Sequence, residues 1–74
     1  MQPTIGRIVI YNTTDYFRNS VQGNKAKQLP AIVTAVWGET CVNLKVITDG
    51  VNDIWVTSAQ QGNEEGYWNW PERV

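Results

Sequence analysis

Between two glycine-bearing turns, "WGETC" and "TDGVND", the residues "CVNLKVI" alternate, and this period of two constrains the chain more than any other feature. Successive side chains of a strand point to opposite sides, so Val42, Leu44 and Val46 fall on one face and Cys41, Asn43, Lys45 and Ile47 on the other. The first set is the core face. The same signals recur along the chain. "GRIVIY", residues 6–11, is β-branched and aromatic with one Arg, and reads as a strand with Ile8 and Ile10 on one side and Arg7, Val9 and Tyr11 on the other. Pro30 opens a second strand, "AIVTAVW", at a position where a missing N–H is tolerated. "IWVTS" makes a fourth with Ile54 and Val56 inward and Trp55 outward, and "YWNWP" a fifth, stopped by Pro71. Gly38 and Gly50 mark the tight turns around the third strand.

Five short strands with no helical period longer than a turn describe an all-β chain, a single five-stranded antiparallel barrel. Closing such a sheet removes exposed edges. The long first connection and the tight later hairpins point to the Src-homology-3-like version, with the oligonucleotide-binding (OB) barrel as the alternative. At 74 residues the chain is one domain, 1–74, whose small core invites help from assembly. The first connection, residues 12–28, is polar and long. It holds Tyr16, Phe17 and half of the basic residues, Arg18, Lys25 and Lys27, and reads either as a binding loop or as a solvated excursion.

Composition narrows function by subtraction. The chain has no His and a single Cys, Cys41, inside a strand pattern, so neither a disulfide framework nor a thiol–imidazole pair can be built, and no metal site or cofactor is expected. Glu64, Glu65 and Glu72 lack a differentiated partner and read as a solvated turn, and no glycine-rich loop leads from a strand into a helix. The expectation is a binding protein and not an enzyme. A net charge of -1 gives no field for duplex DNA or an anionic membrane. The opening residues lack a signal-peptide pattern and no run approaches a membrane span, so a cytosolic location is expected.

The aromatic residues are the remaining lead. Trp68 and Trp70 lie two apart on one face of the last strand and are expected to fill the core. Trp37, sharing its face with Ala31 and Ala35, and Trp55, sharing its face with Asp53 and Thr57, are expected to meet a flat ligand or a partner subunit, with Tyr67 at the rim. Arginine's planar fork suits phosphate. The candidate ligand-binding set is therefore Arg7, Tyr11, Arg18, Trp37, Trp55, Tyr67 and Arg73, with Trp37, Trp55 or Tyr67 stacking on a base and Arg7, Arg18 or Arg73 holding phosphate.

The runs "GRIV.Y", "AIVTAV" and "VNLKV" and the closing "W.WPER" resemble a family of small proteins encoded by tailed bacteriophages. The similarity spans most of the chain except the 12–28 loop. Family members often carry His where this chain has Asn69. The resemblance implies a phage origin, a small β-barrel, no known enzymatic activity and a place in the host cytoplasm or the virion. Joined to the aromatic and Arg inventory, it suggests a homo-oligomeric sponge that sequesters a cyclic-nucleotide immune signal of the host, an anti-defence role. The alternatives are a virion structural or accessory protein and a single-stranded nucleic-acid-binding module.

Overall fold

A computed structural model describes residues 2–18, 26–48, 50 and 52–71. The elements are β1 (Ile8–Asn12), a single helical turn α1 (Asp15–Arg18), β2 (Gln28–Val36), β3 (Cys41–Val46), β4 (Ile54–Gln60) and β5 (Trp68–Asn69). All strands join one antiparallel sheet in the order β4-β3-β2-β1-β5, curled into a half-barrel. Sequential pairing from β1 to β4, with β5 returning to β1, is compatible with a small Src-homology-3-like barrel; an OB barrel orders its strands as a Greek key.

The alternation sets the core as expected. Val9 and Tyr11 of β1, Leu29, Ala31 and Val33 of β2, and Val42, Leu44 and Val46 of β3 all turn inward, joined by Ala59 and Trp68. On β4, Ile54 and Val56 are half-buried and Trp55 faces out. Register shifts interrupt the pattern at two places, between Val33 and Ala35 on β2 and between Val42 and Leu44 on β3. The first corrects the expected face of Trp37. Ala31 is fully buried, whereas Trp37 lies beyond the shift, 64% exposed, with its indole N–H on Asn43 Oδ1 at 2.8 Å.

Asn43 organises the second irregularity. Its Oδ1 also accepts from the Ser58 N–H at 2.8 Å and the Thr57 hydroxyl at 3.1 Å. Ser58 takes a φ of 54°, the left-handed region that non-glycine residues seldom occupy. The buried amide thus satisfies the backbone N–H that the extra residue of β4 takes out of the ladder, together with the neighbouring hydroxyl, and so holds the bulge.

The region 12–28 is not a plain loop. Thr14 Oγ1 accepts the Phe17 N–H at 3.2 Å and caps α1, with Asp15 in its first turn and Arg18 in its last. The base of the connection is sewn shut. Buried Thr13 donates its N–H to the Lys27 carbonyl and shares its hydroxyl between the Ala26 and Lys27 carbonyls at 2.6 and 3.0 Å.

Trp68 closes the curl. It pairs with Tyr11 on β1, bridges Gln61 beyond β4, and its carbonyl accepts the Gly62 N–H. Its indole N–H is shared by the carbonyls of Thr40 and Ala59 at 3.0 and 3.2 Å. One fully buried side chain thus ties the last strand to β1, to the end of β4 and to the β2–β3 turn. Replacing it by Phe keeps much of the apolar bulk but removes the N–H that the Thr40 and Ala59 carbonyls share. Trp68→Phe is expected to lower stability by about 1–3 kcal/mol, read as a drop in the urea midpoint at unchanged slope.

Candidate functional site

The residues expected to bind a ligand are dispersed by the fold. Arg7 sits exposed ahead of β1, its carbonyl accepting the Val33 N–H. Trp55 projects from the outer face of β4, 66% exposed, and Trp37 from the far end of β2. Tyr67 lies against Gly62, where an added Cβ would come within 2.8 Å of its ring. Arg73 lies outside the described residues. Trp70, expected in the core with Trp68, is half-buried; the two rings meet edge to face, centroids 5.4 Å apart at 86°.

Three concavities can be set against these positions. The first, about 420 Å³, is apolar and is lined by Tyr11, Thr14, Tyr16, Phe17, Val46, Ile54 and Val56. Burial pushes the Tyr11 phenol above its ordinary pKa, so it remains a neutral hydroxyl. The second, about 510 Å³, is a polar groove lined by Ile10, Asn12, Gln28, Asn63, Asn69, Trp70 and Pro71. The third shares Asn12, Gln28 and Asn63 with the second and adds Thr13, Arg18, Lys27 and Glu65. The last two are therefore neighbouring parts of one depression. Of the expected set, Tyr11 borders the apolar cavity and Arg18 the charged end of the depression; Arg7, Trp37, Trp55 and Tyr67 line none of the three.

Strand register builds the polar groove. Asn12 lies opposite Gln28, and Asn69 opposite Ile10. The amides are chained in two short runs. Gln28 Nε2 donates to Asn12 Oδ1 at 3.0 Å and Asn12 Nδ2 to the Gly62 carbonyl at 3.3 Å. Gln61 Nε2 donates to Asn69 Oδ1 at 3.3 Å, and Asn69 Nδ2 to Asn63 Oδ1 at 2.8 Å. These bonds fix which end of each amide points where, and among the described residues they leave the Gln28 carbonyl oxygen and the Asn63 amino group for a ligand. Trp70 forms a wall whose ring is held by Trp68.

At the charged end, Arg18 is engaged. Its guanidinium donates to the Thr13 carbonyl at 2.8 Å and to Glu65 Oε2 at 2.6 Å, with Asp15 at 3.7 Å. Glu65 Oε1 accepts the Asp15 N–H at 3.2 Å. Lys27 is the cation of this end that has no ion pair among the described residues.

The groove residues were missed by sequence reasoning because Asn12 and Gln28 look like the ends of a loop until the β1–β2 register is known. Their signal was present. Asn12 ends the "IVIYN" strand and Gln28 begins "QLPAIV", so a hairpin in that register sets two amides side by side.

Compared with known proteins, the chain matches no family model, no curated protein and no solved structure. Among the described residues no helix is long and apolar enough to cross a membrane.

The Arg18–Glu65 contact carries a pH signature. The hydrogen bond from Arg18 holds the exposed Glu65 carboxyl below its usual range, outweighing the desolvation that would raise it. A carboxyl with a lowered folded pKa contributes fully above its unfolded pKa, and that contribution is lost as pH falls through the folded value. The contact that anchors α1 should therefore persist through neutral and mildly acidic pH. An NMR titration of the Glu65 carboxyl is expected to give a midpoint below the ordinary glutamate value, returning to it in Arg18→Gln.

Proposed function

We propose that the chain is a non-enzymatic binding protein that captures a small nucleotide in the amide-lined groove. The observation that carries this reading is the juxtaposition of Asn12, Gln28, Asn63 and Asn69 with the Trp70 ring, continuous with a charged end holding Lys27. Side-chain amides offer a donor and an acceptor at fixed spacing, the pattern that matches the edge of a base. An indole held in place by a second ring gives the base a stacking surface. Lys27 supplies a point charge for phosphate, while Arg18, neutralised by Glu65, shapes that end without adding net attraction. Amides, an indole and one ammonium bind and orient; they offer no nucleophile with a base beside it. With the resemblance to small tailed-phage proteins, the reading extends to an anti-defence sponge that sequesters a cyclic-nucleotide signal in the infected host.

This assignment moves the stacking role from Trp37, Trp55 and Tyr67 to Trp70, and the phosphate role from the arginines to Lys27. The test is calorimetric titration with mononucleotides, cyclic dinucleotides and the parent nucleosides. Trp70→Ala is expected to weaken nucleotide binding by roughly 5- to 100-fold, as loss of about 1–3 kcal/mol of stacking implies. Because Trp70 also touches Trp68, exposed Asn63→Ala serves as the second variant and should weaken binding with the denaturation midpoint unchanged. Lys27→Ala should weaken nucleotides and leave nucleosides unaffected. Absence of binding to every small nucleotide, with affinity for a single-stranded oligonucleotide that falls steeply with salt, would replace this reading by the nucleic-acid module.

A further inference from the structure

Among the described residues the β4 edge of the sheet pairs with no further strand, and the direction of its backbone groups can be read from the hydrogen bonds. The Ile47 N–H donates to the Pro30 carbonyl and the Val33 N–H to the Arg7 carbonyl, both at 2.9 Å. On β2, then, Pro30 and Ile32 turn their backbone groups to β3, and Ala31 and Val33 turn theirs to β1. Carried across the register Ile32↔Lys45, Leu44↔Val56 and Val46↔Ile54, the alternation gives Leu44 and Val46 to β4, and Ile54 and Val56 to β3. The backbone groups of Asp53 and Trp55 and the N–H of Thr57 point away from the sheet. β4 pairs with β3 alone along this stretch.

An open edge is commonly blunted by Pro, Lys or a bulge. From Asp53 to Thr57 there is no Pro and no Lys. The bulge at Ser58 comes only after this run and limits its length. The side chain at its centre, Trp55, is 66% exposed, an unusual amount of aromatic surface to leave on an edge. On the inward side, Ile54 and Val56 form part of the wall of the apolar cavity.

We propose that this edge is a homodimer interface, in which β4 of one chain pairs antiparallel with β4 of a second copy about a two-fold axis at Trp55. The segment is self-complementary in that register. Trp55 lies opposite Trp55 of the second copy and exchanges both backbone bonds with it, and the Thr57 N–H reaches the Asp53 carbonyl of the second copy. Ile54 lies opposite Val56, which extends the apolar cavity wall across the axis. Each Asp53 side chain faces a threonine, and the two Asp53 residues stay about 14 Å apart, four strand positions at roughly 3.4 Å each. A register centred on Ile54 halves that separation, and one centred on Val56 sets Ile54 against Ser58, where the bulge ends the pairing. A strongly charged partner finds no complement here, because Asp53 is the one charged side chain on the run.

Sedimentation velocity across micromolar to millimolar concentrations should show a monomer–dimer equilibrium. Trp55→Lys, which sets two like charges on the axis, should raise Kd by roughly tenfold or more. Because Trp55 is exposed, circular dichroism of this variant should match the parent. The register is tested at Thr57, with Thr57→Val as the reference for losing the hydroxyl's bond to Asn43: relative to it, Thr57→Asp, facing Asp53, should raise Kd several-fold, and Thr57→Lys should lower it. Hydrogen exchange should slow at the Trp55 and Thr57 amides only at concentrations where the dimer forms. A monomer at every concentration, a dimer indifferent to Trp55→Lys, or a dimer whose Trp55 and Thr57 amides exchange freely would each overturn the proposal.

Discussion

Everything in this half-barrel depends on the indole of Trp68. A curled sheet of five short strands has two ends that must be brought near each other, and β5, with two residues in strand conformation, contributes too few backbone bonds to do it. The side chain does the work that a longer ladder would do. Its single N–H serves the Thr40 and Ala59 carbonyls, so the strand that ends the described fold is tied to the β2–β3 turn and to β4 at once. In a chain this small, where the buried apolar set is short, one large residue that also satisfies polar groups is worth more than two aliphatic ones.

The polar groove is a by-product of that closure. Bringing β5 against β1 sets Asn69 beside Ile10 and carries the 61–67 turn toward the end of β1. The Gly66 N–H reaches the Asn12 carbonyl at 2.7 Å, and Glu65 reaches over α1 to Arg18. Thus the connection after β1 and the connection before β5, distant in sequence, form the two banks of one depression. The amides between them are held by one another, so a ligand would meet an ordered surface with little entropy left to lose.

Much of the fold was legible because long runs of each of the four longer strands keep the period-two alternation outside the two register shifts. Val42, Leu44 and Val46 on β3, and Ile54, Trp55 and Val56 on β4, fall on the faces their parity assigns. Legibility stopped where the parity stopped. The shift after Val33 removed Trp37 from the face of Ala31, and at the second irregularity no residue type on β4 announces a bulge whose polar anchor, the Asn43 amide, lies on β3. The helical turn at Asp15 was hidden by its length, one turn capped by Thr14 in a stretch otherwise rich in loop residues. The site was less legible than the fold. Stacking and phosphate roles were sought among exposed Trp and Arg, whereas the groove is made of neutral amides whose proximity depends on register, and Arg18 spends its charge on Glu65.

Gly62 and Tyr67 bear on how chains of this kind could be compared. With the Tyr67 ring where it is, position 62 has no room for even a methyl group, so the two sites cannot drift independently: a side chain at 62 demands a smaller or displaced residue at 67. Such a linked pair leaves a trace that short motifs do not. Among divergent chains sharing this half-barrel, the presence of an aromatic ring at the second position should track glycine at the first, and that correlation, five residues apart and next to the closing strand, would mark the same closing geometry after the surrounding runs had lost all visible likeness.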